Sequence, residues 1–318
     1  MEVKVDSFLD KKDFSLGHLK LRLKGKNINH VYVNTLRRVI LEDIPSYSIN
    51  PELININKNS SVYNNDYLRN RLENFPLIGL DFKLDFDEYN DLRKYMRGIE
   101  NYNKEYEDNN INIYLDIKNN EDNIRNVTTD DMKFYMNDDS IKSIYENKLL
   151  ICKLKKDEEI NLSIKVDKGV GLNHSRYSVA HVYYEEKDNN YLFTIEPRGQ
   201  LNVKEILIRA CMILKYKLNL IKEKINMEKI IDDGNGVIVL NNEDHTIGNL
   251  LTYTLQENNN ISFAGYELEH LLIKDLKIKY SIIGKKSIKE ILNSEIDNLV
   301  KYYNNLEIEF SKLKLKTV

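Results

Sequence analysis

Cysteine is almost missing from this chain: Cys152 and Cys211 are the two in 318 residues. Two thiols cannot build a cysteine-rich metal cluster, and in a reducing compartment a disulfide is not expected. Cys152 falls in a predicted strand and Cys211 in a predicted helix. Long apolar runs are also missing, since none reaches the roughly 18 residues that a membrane span needs. The first residues, Met1-Glu-Val-Lys-Val-Asp6, lack the basic and apolar blocks of a secretion signal, so a soluble intracellular protein is expected. The Asn-x-Ser/Thr sequons at Asn59, Asn126, Asn173 and Asn260 then carry no weight. Positive charge is not in excess: 47 basic against 50 acidic residues give a net charge of −3, which argues against a dedicated nucleic-acid surface. Lys312, Lys314 and Lys316 read as solvated charge.

Catalytic signatures are equally scarce. Gly169-Val-Gly171 and Gly234-Asn-Gly236 are followed by neither Gly-Lys-Ser/Thr nor a third glycine, so neither is a phosphate cradle. Asp81, Asp85, Asp87, Glu88 and Asp91 cluster without the central glycine and final glutamate of a calcium loop. The cluster reads as a solvated helix start, with a metal-dependent enzyme as the alternative. His174 and His181 have no ligand spacing. No nucleophile is paired with a base, so the chain is expected to catalyse nothing by itself, to hold no metal and to need no cofactor.

What the chain has is pattern. Charged residues make up 31% and hydrophobic ones 42%, an ordinary globular balance, and the length allows two or three domains with cores. The run Asn241-Asn-Glu-Asp-His-Thr-Ile-Gly-Asn-Leu-Leu251 reads as a polar turn entering an amphipathic helix. Asp244 suits the N-cap, because its carboxylate can accept from the free amides of the first turn. His245, in the same cap sequence, is read as a structural hydrogen-bonding residue. Ile247, Leu250, Leu251 and Leu255 share one face. Gly248 costs roughly 1 kcal/mol against alanine, so it marks a bare spot where another helix is expected to come close. Further on, Ile288, Leu292, Ile296, Leu299, Tyr303, Leu306 and Phe310 recur at three and four over a predicted helix of about 285–310. Such a stripe is either an ordinary core face or half of a helix-to-helix interface.

Val33-Asn-Thr-Leu-Arg-Arg-Val-Ile-Leu-Glu-Asp-Ile-Pro45 is another helix. Val33, Leu36, Val39, Ile40 and Ile44 lie on its core arc; Asn34, Arg38 and Leu41 lie opposite, with Arg37 on the border. The outward residues are either a solvated charged face or an Arg-Leu protein interface. Pro45 ends the helix.

The 241–251 string closely resembles the signature of the small alpha-like subunits of cellular RNA polymerases, the eukaryotic eleventh subunit and its L-like archaeal counterpart. Ile261-Ser-Phe-Ala-Gly-Tyr266 and His270 continue it, although Glu269 and Leu271 flank His270 where the family usually has a proline. The 33–45 run resembles the first helix of the bacterial alpha amino-terminal domain, shared by the third eukaryotic subunit and its D-like archaeal counterpart. Asn65–Leu77, Val127–Asp131, Leu149–His174 and Glu196–Asn202 resemble further segments of those larger subunits, in order. After them Asn202-x-x-Glu205 opens a helix with apolar face Ile206, Ala210, Leu214, Leu218, Ile221, Ile225. The chain therefore resembles both alpha-like subunits joined head to tail, as in large nucleocytoplasmic DNA viruses of the mimivirus kind. The cysteine cluster that some large alpha-like subunits carry is missing, as are a bacterial-type DNA-binding module and the triple-aspartate signature of polymerase active sites.

The resemblance implies an α+β fold. Residues 1–47 and 173–225 would form a discontinuous first dimerisation domain, 48–172 an insert domain that is mixed or β, and 226–318 a second dimerisation domain. Each dimerisation unit would be a small antiparallel sheet with two packed helices, and the two would form an intramolecular pseudo-heterodimer. Its interface would use Leu36, Ile40, Leu214, Leu218, Ile221, Gly248, Leu250, Leu251, Leu292, Leu299 and Leu306. Asp244, His245, Thr246, Asn249, Phe263, Gly265, Tyr266 and His270 would be the structural motif of the second unit. Asn34, Arg37, Arg38 and Leu41 would bind a large catalytic subunit. The implied function is a non-catalytic assembly platform for two large subunits and small neighbouring ones. DNA would be met only through the complex, no membrane would be involved, and the catalytic Mg²⁺ would sit in the large subunits. The expected compartment is the host cytoplasm, and the virus particle, if the source is viral, and the nucleus otherwise. A stand-alone interaction scaffold is the alternative. Asp232-Asp-Gly-Asn-Gly236 reads as a hairpin turn inside the second unit, and 85–110 and 119–147 as polar loop or solvated helix.

Overall fold

A computed structural model describes residues 2–9, 17–25, 28–80, 84–96, 111–145, 147–187, 190–227, 234–270 and 273–315, without the side chains of 95, 96, 269, 270, 273 and 274. Strands β1 (Glu2–Leu9) and β2 (His18–Lys24) open the first unit. Leu19, Leu21 and Leu23 alternate inward along β2 while Arg22 and Lys24 stay exposed, the period-two pattern of a sheet covered on one side. Helix α1 (His30–Glu42) starts where the Asn29 side chain accepts from the Tyr32 amide and stops two residues short of Pro45. The chain returns through β10 (Ala180–Lys187), β11 (Asn190–Pro197) and the 25-residue helix α4 (Val203–Met227). The antiparallel sheet runs β1-β2-β11-β10.

Between these parts lies an insert with its own core. Strand β3 (Pro45–Asn59) pairs with β9 (Glu159–Val170), with a break in register between Ile49 and Ile54. Helix α2 (Asn65–Glu73) follows, and β4 (Ile111–Lys118), β6 (Lys133–Met136) and β7 (Asp139–Ile141) complete a five-stranded sheet, order β3-β9-β4-β6-β7. Strands β5 (Arg125–Thr128) and β8 (Leu150–Leu154) form a separate pair. The segment 119–147, expected as loop or solvated helix, therefore contains three short strands. Its polar sequence hid a two-residue hairpin: Asn137 and Asp138 both have positive φ, and Met136 pairs with Asp139.

The segment 85–110, expected as loop or solvated helix, is helical where it is described but is not solvated: Phe86–Met96 form α3, which belongs by sequence to the insert but packs into the dimerisation core, and residues 97–110 lie outside the described residues. Phe86 stacks on Tyr216 of α4 at 4.5 Å, and Tyr89 is buried beside it. The domain frame 48–172 is thus interrupted by one helix that returns to the unit it left.

The second unit consists of β12 (Asn235–Asn241), α5 (His245–Gln256), β13 (Ile261–His270), β14 (Ile273–Ile282) and α6 (Ile288–Ser311). Its sheet order is β12-β14-β13, all antiparallel. The hairpin turn expected at Asp232–Gly236 lies partly outside the described residues, which omit 228–233; from Gly234, at φ +82°, the chain runs into β12, which pairs with β14. One hydrophobic cluster runs through the sheets and helices of both dimerisation units, while the insert keeps a second cluster to itself.

Candidate functional site

The site is a set of surfaces on which chains can join, and its framework is two pairs of crossing helices. Helices α4 and α6 lie against one another in opposite directions. Lys215 Nζ meets Asn304 Oδ1 at 3.1 Å and Glu307 at 2.6 Å, Lys222 meets Asp297 at 2.5 Å, and Asn226 accepts from Asn293 at 2.8 Å. Between these rims the stripes interlock. Leu214, Leu218 and Ile221 of α4 and Leu292, Leu299 and Leu306 of α6 are buried in the shared core. The α6 stripe steps by four and three, the spacing of a seam that keeps facing its partner helix. Helices α1 and α5 cross likewise: the Tyr253 ring sits 6.2 Å from the rings of His30 and Tyr32, and at the other end Arg38 reaches Thr246. Leu36, Ile40, Leu250 and Leu251 are buried in the same cluster.

Two residues read from the sequence as outward differ here. Arg38 does not project freely. Its Nε donates to Thr246 Oγ1 at 2.7 Å across the two units, and its Nη2 holds Glu42 at 2.8 Å. The sequence missed this because the partner lies 208 residues away. Leu41 is half-buried against the core, and its carbonyl lies so near Gly171 that a Cβ there would collide with it. Asn34 and Arg37 remain together on the outer side, Asn34 Oδ1 accepting from Arg37 Nε at 2.9 Å.

The start of α5 is organised around Asp244, whose carboxylate accepts from the Thr246 amide at 2.8 Å. The His245 ring lies edge-on to Tyr266 at 5.8 Å. Gly248 requires a correction. A Cβ there would meet Tyr266 Cδ2 at 2.7 Å and Leu276 Cδ1 at 2.8 Å, side chains of its own sheet. The bare spot serves helix-on-sheet packing within the unit, and it is not a contact with another helix. Phe263 is 57% exposed and lies over Gly265, its Cζ 3.1 Å from where a Cβ would stand. A ring laid over a strand glycine covers backbone on the outer face of the sheet. Asn249 is half-buried. The His270 side chain lies outside the described residues.

Sequence reasoning missed a buried cluster of four charged side chains. At the end of α1, Asp43 meets Lys217 of α4 at 3.1 Å and Arg93 of α3 at 3.3 Å. Glu243, just before α5, takes both ends of the Arg93 guanidinium at 3.1 Å and lies 3.6 Å from Lys217. All four side chains are nearly inaccessible, Lys217 at 1%. Two cations and two anions balance. Burial drives both carboxyls up, but Lys217 and Arg93 outweigh it at Asp43, and Arg93 and Lys217 outweigh it at Glu243; both end below the usual range. The insert, the first unit and the second unit meet at this cluster. Only Lys217, charged in the middle of an apolar helix face, gave a signal in the sequence.

Among the described residues no catalytic arrangement emerges beside these contacts. Asp85 caps α3, its Oδ1 accepting from the amides of Asp87 and Glu88 at 2.8 and 3.1 Å. Glu88, expected to be solvated, is buried against Lys168 at 2.7 Å. Asp81 lies outside the described residues, and among the described ones no group of three or more His, Cys, Asp or Glu is gathered as a metal site. Burial pushes the Cys152 thiol up to about 11 and the Cys211 thiol up as well, which makes both poor nucleophiles.

Comparison with known proteins matches two regions to family models. Residues 83–183 match the RNA polymerase Rpb3/RpoA insert domain, and residues 235–309 match the RNA polymerase Rpb3/Rpb11 dimerisation domain. A protein of Acanthamoeba polyphaga mimivirus, named for a DNA directed RNA polymerase subunit, is 29% identical over 319 residues, covering 91% of this chain and 89% of the relative. Subunit Rpo11 of the Sulfolobus acidocaldarius polymerase is 37% identical over 93 residues, 29% of this chain and 93% of that subunit. Subunit RPB3 of Schizosaccharomyces pombe RNA polymerase II is 26% identical over 185 residues, 51% of this chain and 56% of the relative.

Proposed function

This chain belongs to the alpha-like subunits of DNA-directed RNA polymerase, with the larger and the smaller kind in one polypeptide, and we propose that it is the platform on which the two large catalytic subunits assemble. It is a non-catalytic part of a transcribing complex. The observation that carries the proposal is the single core shared by both dimerisation units. Separate alpha-like subunits must first find each other. Here the halves pair within one molecule at high effective concentration, so the platform is complete when the chain has folded.

On this reading the outer side of α1 grips one large subunit through Asn34 and Arg37, with Arg38 and Leu41 bracing it from behind, and the equivalent edge of the second unit grips the other. Arg is a common anchor in such surfaces. Small polymerase subunits join the same assembly, DNA is met only through it, and catalytic Mg²⁺ belongs to the large subunits. No helix among the described residues is long and apolar enough to cross a membrane. If the source is viral, as that of the mimivirus relative is, its place of action is the host cytoplasm and the virus particle; otherwise it is the nucleus.

The test is affinity purification of the tagged chain from its native source, with mass spectrometry of stoichiometric partners. Two very large polymerase subunits should co-purify. Arg37→Glu should remove one of them while the chain keeps its thermal midpoint. Arg38→Glu should cost stability as well, because it also breaks the bond to Thr246. A folded monomer recovered alone in gentle salt would sink the platform reading.

A further inference from the structure

The boundary between insert and first unit holds a polar hollow that neither the shared core nor the α1 surface uses. It measures about 380 Å³ and lies between the end of α2 and the turn at 174–176, with Phe75, Arg176, Arg198 and Gln200 in its wall. A second hollow of about 390 Å³ shares Asn74 and Phe75 with it and continues along α2 past Arg71 to Tyr67. Together they form one groove.

Its charge runs against that of the molecule. The chain carries −3, yet the groove gathers Arg71, Arg176 and Arg198 against one carboxylate, Glu73. Each arginine is already anchored by part of its guanidinium. Arg71 Nε and Nη2 donate to the Leu150 carbonyl at 3.2 and 2.6 Å, Arg198 Nη1 to the Ser175 carbonyl at 2.7 Å, and Arg176 Nη1 to Glu73 at 3.1 Å. The anchors leave further donors on each fork and fix where they point, which is how arginine is prepared to take a carboxylate. Buried demand remains too: Arg176 Nε and Gln200 Oε1 are buried without a hydrogen-bond partner, a costly condition.

Phe75 lies in the wall of both hollows, so an occupant that fits must bring apolar surface as well as negative charge. A phosphate brings only the charge. A peptide brings apolar side chains and, through Asp or Glu, the carboxylates. Tyr67 is the exposed aromatic of the groove, but its face is stacked on Tyr63 at 4.9 Å and is not open on that side to a base. We propose that this groove binds an extended, acidic peptide segment of another polymerase chain, with a carboxylate held between Arg176 and Arg198 and the apolar part of the segment resting on Phe75. The proposal rests on the subunit reading above.

The test uses the assembled polymerase with a photo-crosslinking phenylalanine analogue at position 74 of this chain. Crosslinks should map to an Asp- or Glu-rich segment of a neighbouring polymerase chain. A synthetic peptide of that sequence should bind the purified full chain, and Arg198→Glu, or replacing the peptide's carboxylates by amides, should weaken it at least tenfold. An assembled polymerase that yields no crosslink, or only crosslinks to nucleic acid, would overturn the groove assignment while leaving the platform intact. A peptide indifferent to Arg198→Glu would overturn it as well. Failure of the large subunits to co-purify at all would instead count against the platform.

Discussion

Arg93 is the residue on which the meeting of three units turns. Its guanidinium holds Glu243 of the second unit with both ends and Asp43 of the first unit with its Nε. A buried ion network of this kind gives little net stability, since desolvation offsets most of the attraction, but breaking one member leaves an uncompensated charge. Arg93→Met should therefore lower the unfolding free energy by about 3–5 kcal/mol in urea titration. Adding Glu243→Gln should recover most of that, because the remaining Lys217–Asp43 pair is neutral. If the double variant were as unstable as the single one, charge balance would not be the reason for the cluster. The pH dependence has a definite sign. Asp43 and Glu243 have folded values below their ordinary 3.8 and 4.5, so their contribution is complete above those values and lost as pH falls through the lower folded ones. Thermal midpoints measured from pH 6 down to 2 should fall most steeply below about pH 4, and less so in the Arg93→Met, Glu243→Gln variant.

Among the elements, α6 was the most legible. Every residue of the stripe from Ile288 to Phe310 that the spacing marked is buried in the structure, because a three-and-four repeat leaves a long helix one way to turn. Leu299→Ala should cost about 2–5 kcal/mol. The short strands β5 to β7 were hidden because three or four residues carry too little periodicity. Helix α3 was misread because Arg93, Glu88 and Asp91 made it look solvated, while two of those charges are buried and paired. Glycines divide by what stands opposite. At Gly171 an added methyl meets the Leu41 carbonyl, which is backbone held by the adjoining helix. At Gly248 it meets the side chains of Tyr266 and Leu276, which can shift, and alanine gains roughly 1 kcal/mol of helix propensity. Gly171→Ala should therefore lower the thermal midpoint more than Gly248→Ala; the reverse order would contradict the packing described for α1 and β9.

For the whole molecule, the shared core makes a statement about covalency. The link between α4 and β12 should help the halves meet without being what holds them. A protease site placed at 228–233 and cut after folding should leave both pieces eluting together in size-exclusion chromatography. Separation on cutting would mean that the tether, and not the interlocking of α4 with α6, maintains the pairing.

The sequence by itself determined which faces of α1, α4 and α6 are apolar and where α5 is capped, while its resemblance to alpha-like subunits implied two such units and an insert. The faces and the cap follow from local periodicity and from side chains acting within one turn. Only the tertiary structure decided that Arg38 turns to Thr246, that Gly248 receives its own sheet, that α3 rejoins the core, and that Arg93, Lys217, Asp43 and Glu243 meet. Each of these depends on partners tens to hundreds of residues apart, and the energy of a buried charge depends on which opposite charge the fold brings beside it.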